Sequence, residues 1–261
     1  MSRRPLRTRA ERRVGLARAL SKLGYCSRAQ ATELIRAGRV ELNAAVRRNP
    51  ETPVDFGHDR IAVDGTLVEA QAKVYLMMNK PRGMVTTASD EKRRETVYSI
   101  LEKGTEALPW VAPVGRLDKA SEGLLLLTND SEWSARVAAP ETHLEKTYHV
   151  QIATVAKQDL MTHLTQGVKS AEGEILRARQ ARILRSGAKN CWLEIVLDEG
   201  KNRHIRRMLE SLRIEVLRLI RVSIGPLPLG DLAKGSFRVL LPEEKKRLDV
   251  AMRAAASGRH G

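Results

Sequence analysis

Residues 114–130 read VGRLDKASEGLLLLTND, and this stretch decides how the rest of the sequence is interpreted. Four consecutive leucines lie between Gly123 and a Thr-Asn-Asp turn signal, the pattern of a strand that is buried on both faces. Asp118 lies on the loop that enters this strand, between Arg116 and Lys119. Taken alone, that position suits a turn aspartate that pairs with one of the two cations, and a functional carboxylate is the alternative.

The chain is strongly basic. Its 261 residues carry 46 Lys and Arg against 31 Asp and Glu, a net charge of +15. The first fifty residues hold 13 basic and 3 acidic side chains, which is +10 of that total. This balance favours a polyanionic partner, with nucleic acid ahead of an anionic membrane, and solubility alone is the other interpretation. Aromatic residues make up only 3% of the sequence, so we expect binding through phosphates and shape rather than base stacking.

Missing patterns exclude several classes of protein. No apolar run reaches the roughly 18–20 residues of a membrane span, and the basic start leads into no signal core, so we expect a cytoplasmic protein without a membrane partner. Cys26 and Cys191 lie far apart, and we expect two buried thiols. Neither a Gly-rich phosphate loop nor metal-ligand spacing among the six histidines is found, so we expect no metal and no cofactor. His204 is expected at the polar surface.

Residues 13–68 are predicted to form a small basic domain. Apolar residues recur at helical spacing before Gly24, and Ser27 begins a second helix with the S-x-x-Q capping-box pattern. A short strand follows, and Asp64-Gly65 predicts a β-hairpin.

Within this domain, KLGYCSRAQATELIRAGRVELN resembles the S4-type RNA-binding domain. In that family two helices and the following loop form an electropositive surface for structured RNA. The resemblance implies RNA contacts from the arginines that lie off the apolar stripe, which are Arg18, Arg28, Arg36 and Arg39.

A larger domain is predicted at residues 75–247, after a linker at 69–74. Its strands are predicted at YLMMNKP, MVTT, LLLL, EKTYHVQIA, CWLEIVLDEG, EVLRLIRVSIG and SFRVLLP, and its helices at YSIL, SEWSARVAA and NRHIRRMLESL. Strand–helix–strand units do not alternate regularly, so we predict an α+β fold with a mixed or antiparallel sheet. Residues 1–12 are expected to be flexible and residues 248–261 disordered.

Two further segments of this domain suggest chemistry. Lys146 and Tyr148 alternate on one face of a predicted strand, so a cation and a phenol point the same way, although an ordinary edge-strand pair has this pattern too. Arg203, Arg206 and Arg207 lie near a helix start, where backbone N–H groups and the dipole favour anions. A solvated basic face is the alternative.

In this order the segments resemble the pseudouridine synthases, in the branch that modifies bacterial ribosomal RNA behind an S4 domain. The matching pieces are NKPRGMVTT (79–87), VGRLDKASEGLLLLTND (114–130), EKTYHV (145–150), and residues 198–240 from DEGKNRHIRRMLESL to SFRVL. The chain departs from the family at Ser131-Glu132, where glycine is frequent. It also departs at residues 201–204, which leaves open which of these contact RNA.

The resemblance implies isomerisation of uridine to pseudouridine, without a cofactor or net redox change. Asp118 would be the catalytic carboxylate, and it would either attack C1′ or remove a proton from C2′. Arg206 would offset the cost of burying that charge, and Tyr148 would pack on the base and take the C5 proton. The expected RNA contacts in this domain are Lys80, Arg116, Lys146, Lys201, Arg203 and Arg207.

The S4 resemblance favours ribosomal RNA as the partner, free or in an assembly intermediate, with the protein acting as a monomer. The segment GPLPLGDLAKG favours large-subunit RNA, 23S, over 16S. Two rival functions are a non-catalytic RNA-binding assembly factor and a DNA-binding regulator. Both leave unexplained why an acid, K-x-Y and an arginine helix occur in this order.

Overall fold

The computed structural model describes residues 13–87, 94–104 and 108–257 of the chain. The predicted flexible start lies outside these ranges. No helix in the described ranges is both long enough and apolar enough to cross a bilayer.

The chain divides into two compact units, and the first contains residues up to 74 together with 108–112. The boundary between the units follows residue 74, and the return of residues 108–112 to the first unit was not predicted. In that returning segment the Trp110 N–H donates to the Gly24 carbonyl at 3.0 Å.

The first unit combines two helices with short antiparallel strands. Its elements are β1 (Val14–Gly15), α1 (Leu16–Lys22), α2 (Arg28–Arg36), β2 (Val40–Leu42), β3 (Ala45–Arg47), β4 (Pro53–Val54), β5 (Ile61–Val63) and β6 (Thr66–Leu67). The strands pair as β1-β4 and β3-β2-β5-β6. The capping box is confirmed, because Ser27 and Gln30 exchange hydrogen bonds of 3.1 and 3.0 Å. The hairpin is also confirmed, with Asp64 and Gly65 both at positive φ.

The second unit is built on a mixed sheet, which confirms the predicted α+β class. Its elements are β7 (Tyr75–Lys80), α3 (Tyr98–Leu101), β8 (Ala112–Val114, which begins in the first unit), β9 (Glu122–Thr128), α4 (Ser131–Ala138), β10 (Lys146–Ile152), α5 (Gln158–Gln166), β11 (Val168–Lys169), β12 (Ile175–Leu176), β13 (Gln180–Ser186), β14 (Cys191–Leu197), α6 (His204–Ser211), β15 (Val216–Ile224), β16 (Leu227–Pro228), β17 (Phe237–Val239) and α7 (Pro242–Ser257). The central strand order is β13-β14-β10-β15-β9-β7-β17. Only the β15–β9 pair in this order is parallel.

Strand β9 contains the leucine run, and all seven of its residues are buried, as predicted. Gly123 in this strand has a φ of +100°, and a Cβ built on it would lie 2.3 Å from the Arg221 carbonyl oxygen. No side chain fits between backbones this close, so glycine at position 123 is what allows β15 to run beside β9.

The predicted disordered tail is wrong for residues 248–257. These residues continue α7, in which Leu248 is fully buried and Met252 is 5% exposed. Both pack in one core cluster with Trp133, whose indole N–H donates to the Asp249 carboxylate at 2.8 Å. Leu248 and Met252 lie four residues apart, as on one face of a helix, but most of the residues around them are charged, so the sequence did not indicate a helix. Residues 258–261 lie outside the described ranges.

Two smaller predictions also need correction. The predicted strand MVTT is only an isolated bridge between Val85 and Thr96. Cys191 is buried as predicted, but Cys26 is partly exposed, and the burial it has raises the pKa of its thiol to about 11.

We predict that Gly123→Ala lowers the free energy of unfolding by about 3 kcal/mol, because it adds a steric overlap to an unfavourable φ. Gly173→Ala is the matched control, since Gly173 has a φ of +85° but no atom within 4 Å of an added Cβ. That control should cost only about 1 kcal/mol in urea denaturation of the full chain. Equal losses in the two variants would contradict the close-approach argument.

Candidate active site

The second unit contains a cavity of about 270 Å³ with a basic lining. The loop before β9, strands β10 and β15, and the start of α6 supply the walls. The lining includes two carboxylates, Asp118 and Glu199, and six basic side chains: Arg116, Lys146, Lys201, Arg203, Arg206 and Arg221. A concave site with this excess of positive charge is suited to an anionic ligand.

Lys80 supports the loop that carries Asp118. Its side chain has no exposed surface, and its ammonium donates to the carbonyls of Pro81, Asp118 and Ser121 at 3.1, 3.2 and 2.9 Å. Burial lowers the pKa of Lys80 to about 8, and the charge of Arg221 acts in the same direction. The expected RNA contact by Lys80 is therefore corrected, because an ammonium enclosed by carbonyl oxygens cannot reach a phosphate.

The backbone on both sides of Asp118 is held in place. The Ser121 N–H donates to the Asp118 carbonyl at 2.9 Å, and the Thr86 hydroxyl donates to the Leu117 carbonyl at 2.8 Å. The Asp118 side chain is half-buried, and its carboxylate has no hydrogen-bond or ion-pair partner within the described chain. The turn aspartate paired with Arg116 or Lys119 is thus not what the structure contains.

Strand β10 brings Lys146 and Tyr148 to the cavity on one face, as their alternation predicted. In the register of β10 with β15, Tyr148 lies opposite Arg221. On the other side, Lys146 and Tyr148 lie opposite the apolar Leu197 and Ile195 of β14. Burial lowers the pKa of Lys146 to about 8, and the neighbouring charge of Arg221 lowers it as well.

Arg206 links α6 to the loop that carries Asp118. Its Nη2 donates to the Ala120 carbonyl at 3.0 Å, two residues from Asp118. Burial is the main cause that lowers the pKa of Arg206, and the charge of Asp118 raises it. The guanidinium remains charged at neutral pH, so it offsets the negative charge of the carboxylate.

The remaining predicted basic residues of this domain divide into two groups. Arg116, Lys201 and Arg203 line the cavity, and Lys201 also pairs with Glu199 at 2.9 Å. Arg207 is not part of the lining. It donates to the carboxylates of Glu172 and Glu174 at 2.8 and 2.9 Å, so its expected RNA contact gains no support from its position.

Sequence reasoning gave no role in the site to Ser121, Glu199 or Arg221, and it placed His204 at the polar surface, although all four line the cavity. In the described part of the chain, the buried side-chain polar atoms without a partner are Ser121 Oγ, both ring nitrogens of His204, Arg206 Nε and Arg221 Nη2. All four residues line this cavity. Buried polar atoms are rarely left unpaired, so their concentration here indicates a polar ligand.

The predicted surface position of His204 is wrong. The residue is 3% exposed, because the first turn of α6 is packed inside the unit. Burial lowers the pKa of its imidazole. Arg221 was missed because an isolated arginine in an apolar strand usually marks the solvent face, and only its alternation with Leu219 could have suggested otherwise.

In the first unit the four arginines expected to contact RNA are exposed, as predicted. Arg39 is additionally paired with Asp64, with its Nε 2.9 Å from the carboxylate. The described residues contain no group of three or more side chains that could hold a metal ion.

Comparison with known proteins identifies the families that match the two parts of the chain. The RNA pseudouridylate synthase family model matches residues 74–211, and the S4 domain model matches residues 14–61. The chain is 34% identical over 235 residues to ribosomal large subunit pseudouridine synthase B of Bacillus subtilis, which covers 89% of this chain and 94% of that protein. It is 35% identical over 240 residues to an uncharacterized RNA pseudouridine synthase of Aquifex aeolicus, covering 92% and 95%. A pseudouridylate synthase crystal structure matches with a TM-score of 0.62 at 27% identity, covering 90% of this chain and 99% of that one.

The chain therefore belongs to the RNA pseudouridylate synthase family, with an S4 domain ahead of the synthase domain. This confirms the resemblance and the enzyme class that it implied, an isomerase that acts on RNA.

We predict that Lys80→Met lowers the free energy of unfolding by about 2 kcal/mol, because buried carbonyls lose their donor. The loop at residues 118–121 should loosen, so hydrogen exchange at the Ser121 amide should accelerate. Lys119→Met is the matched control in the same loop, since the Lys119 side chain is exposed, and it should leave exchange unchanged. An unaltered Ser121 exchange rate in Lys80→Met would contradict the supporting role.

Proposed function

We propose that this protein converts a uridine of ribosomal RNA to pseudouridine, with Asp118 as the catalytic carboxylate. The observation that carries the proposal is a carboxylate that has no hydrogen-bond or ion-pair partner among the described residues, in a cavity where six basic side chains face two carboxylates. Such a group is free to react with a ligand that the surrounding cations hold. Tyr148 and Arg206, which line the same cavity, have the roles expected of a base-packing phenol and a compensating cation.

The target nucleotide must leave its stack before it reaches Asp118, which costs a few kcal/mol. In the cavity, the Tyr148 ring packs on the base, and the apolar Leu197 and Leu219 complete the surface around it. Asp118 then attacks C1′ or removes the C2′ proton, and the bond from C1′ to N1 breaks. The freed base turns and C5 bonds to C1′, while Asp118 leaves C1′ or returns the proton to C2′. The C5 proton then passes to Tyr148 and N1 gains a proton, which completes the isomerisation.

Two features support a structured ribosomal RNA as the substrate. The exposed arginines of the S4 domain can each neutralise a phosphate, which gives salt-dependent affinity that helps to offset base extrusion. The Bacillus subtilis relative is named for the large ribosomal subunit, so 23S RNA is the proposed target, free or in an assembly intermediate. We propose that the protein acts as a monomer in the cytoplasm, and that it needs no cofactor because the isomerisation is redox-neutral.

We predict that Asp118→Asn abolishes modification of one uridine, lowering the turnover rate by about 10⁴-fold or more, because the amide neither attacks C1′ nor removes a proton. Pseudouridine would be mapped across both ribosomal RNAs in cells that lack the gene and are supplied with each variant. Asp231→Asn, at an exposed position outside the cavity, should restore modification like the unaltered protein. Full modification with Asp118→Asn would contradict the catalytic role of Asp118 and would favour a non-catalytic RNA-binding function.

We predict that RNA affinity weakens about tenfold between about pH 7 and about pH 9.5, because Lys146 has a pKa of about 8. The ammonium is charged below that pKa and attracts phosphate, and this attraction is lost as the pH rises through it. Lys146→Arg keeps its charge over the whole range, so its affinity should remain nearly constant. The pKa of Lys80 is also about 8, but Lys80 is present in both proteins. The difference between their pH profiles of RNA affinity therefore reports on Lys146 alone. Parallel pH profiles would contradict this assignment.

A further inference from the structure

Arg221 is a buried cation whose hydrogen-bonding capacity the protein leaves partly unused. The residue is 6% exposed and lines the cavity. Its Nε donates to the Leu124 carbonyl at 2.7 Å, while its Nη2 is buried and has no partner within the described chain. An unpaired buried donor on a charged group costs several kcal/mol, so a ligand that accepts from it would recover a large part of that cost.

Other buried charges of this unit have several hydrogen-bond partners. Glu122, which is 4% exposed, accepts from Arg218 at 3.1 Å and from Lys234 at 2.6 Å. Lys80 donates to three carbonyls. Arg221 has no carboxylate partner among the ion pairs of the described residues, so its charge is available to whatever fills the cavity.

The register of the sheet places Arg221 beside the base-packing residue. Arg221 on β15 pairs with Tyr148 on β10 next to an irregularity in the register, and both residues line the cavity. If the Tyr148 ring packs on the uracil, the guanidinium of Arg221 lies at the edge of the uracil ring. The edge of uracil presents the carbonyl oxygens O2 and O4, which are hydrogen-bond acceptors.

The reaction itself supplies a negative charge at this edge. When the bond from C1′ to N1 breaks, its electron pair stays on the base and spreads from N1 to O2 and O4. Asp118 forms a bond to C1′, or takes the C2′ proton, in the same step. When C5 later bonds to C1′, the bond from Asp118 to C1′ breaks, or the proton that Asp118 took returns to C2′, so the carboxylate is regenerated. The C5 proton then leaves and N1 gains a proton, so the base returns to neutrality and no further reagent is consumed.

We propose that Arg221 donates through Nη2 to a carbonyl oxygen of the detached uracil and stabilises the anion formed by glycosidic cleavage. This inference rests on the proposed function. Arg206 also has a buried donor without a partner in the described chain, its Nε. Its Nη2, however, holds it at the Ala120 carbonyl beside Asp118, whereas Arg221 is the strand partner of Tyr148. Arg221 thereby acts as a preorganised donor for charge that develops during the reaction, as an oxyanion hole does.

The test compares two substrates that differ in how well the base carries negative charge. One RNA contains uridine at the target position and the other contains 5-fluorouridine. Fluorine withdraws electrons and makes the base a better leaving anion. Fluorine also blocks the final loss of a C5 proton, so the quantity measured for both RNAs is consumption of the starting nucleoside in a single turnover.

We expect Arg221→Met to slow consumption of uridine by about 10²–10³-fold, the effect of removing one such donor, and to slow consumption of 5-fluorouridine several-fold less. The RNA dissociation constant should change little. Arg221→Lys keeps the charge, so its rate of uridine consumption should lie between the rates of the unaltered protein and of Arg221→Met. Arg185→Met is the matched control, because Arg185 lies over the Trp192 ring outside the cavity. It should match the unaltered protein on both RNAs.

Equal losses on the two RNAs, or a loss confined to RNA binding, would overturn the proposal and leave Arg221 as a structural or anchoring residue. Thermal unfolding of each variant shows whether the lost bond to the Leu124 carbonyl has unfolded the unit, and Arg221→Lys keeps the comparison informative if Arg221→Met does not fold. If the unaltered protein consumes neither nucleoside in any ribosomal RNA, the proposed function fails instead, which separates the two outcomes.

Discussion

The parallel pairing of β9 with β15 is the constraint on which the catalytic unit depends. It joins the strands β13-β14-β10-β15 to the strands β9-β7-β17, and the pairing is so close that position 123 admits only glycine. The loop with Asp118 leads directly into β9, and Tyr148 lies on the strand beside β15. One backbone contact therefore sets how far the carboxylate lies from the phenol, and neither side chain takes part in it.

The unit treats its buried charges in two different ways. Charges with a structural task are fully paired, as the three acceptors of Lys80 and the two cations around Glu122 show. The buried side-chain polar atoms that have no partner among the described residues all belong to residues that line the cavity. Leaving donors unpaired lowers stability, so this distribution is expected where the missing partner is a ligand.

The sequence predicted most of the fold because local signals and burial agree. The leucine run, the capping box at Ser27 and the hairpin at Asp64-Gly65 each describe contacts within a few residues, and each is confirmed. The helical continuation at residues 248–257 was missed because, among the side chains described at 248–254, only Leu248 and Met252 are buried, and the sequence around them is charged.

Within the site, residues that belong to a recognisable sequence pattern were predicted, whereas residues whose role depends on their burial were not. The carboxylate, the phenol and Arg206 were named in advance, and the structure brings all three to one cavity. Lys80 and Arg221 could not be distinguished from surface cations, because their burial results from strands that meet across more than thirty residues of sequence. Charge pattern alone carries no information about such packing.

The return of residues 108–112 to the first unit has a consequence for how the protein is made. These residues follow the first strand of the second unit, yet Trp110 bonds to Gly24. Domains usually fold in order as the chain emerges from the ribosome. Here the N-terminal unit lacks part of itself until a long stretch of its successor has also emerged. A chain that stops at the linker therefore lacks the segment that supplies the Trp110 bond to Gly24, and this bond forms only after residues 75–107 have been made.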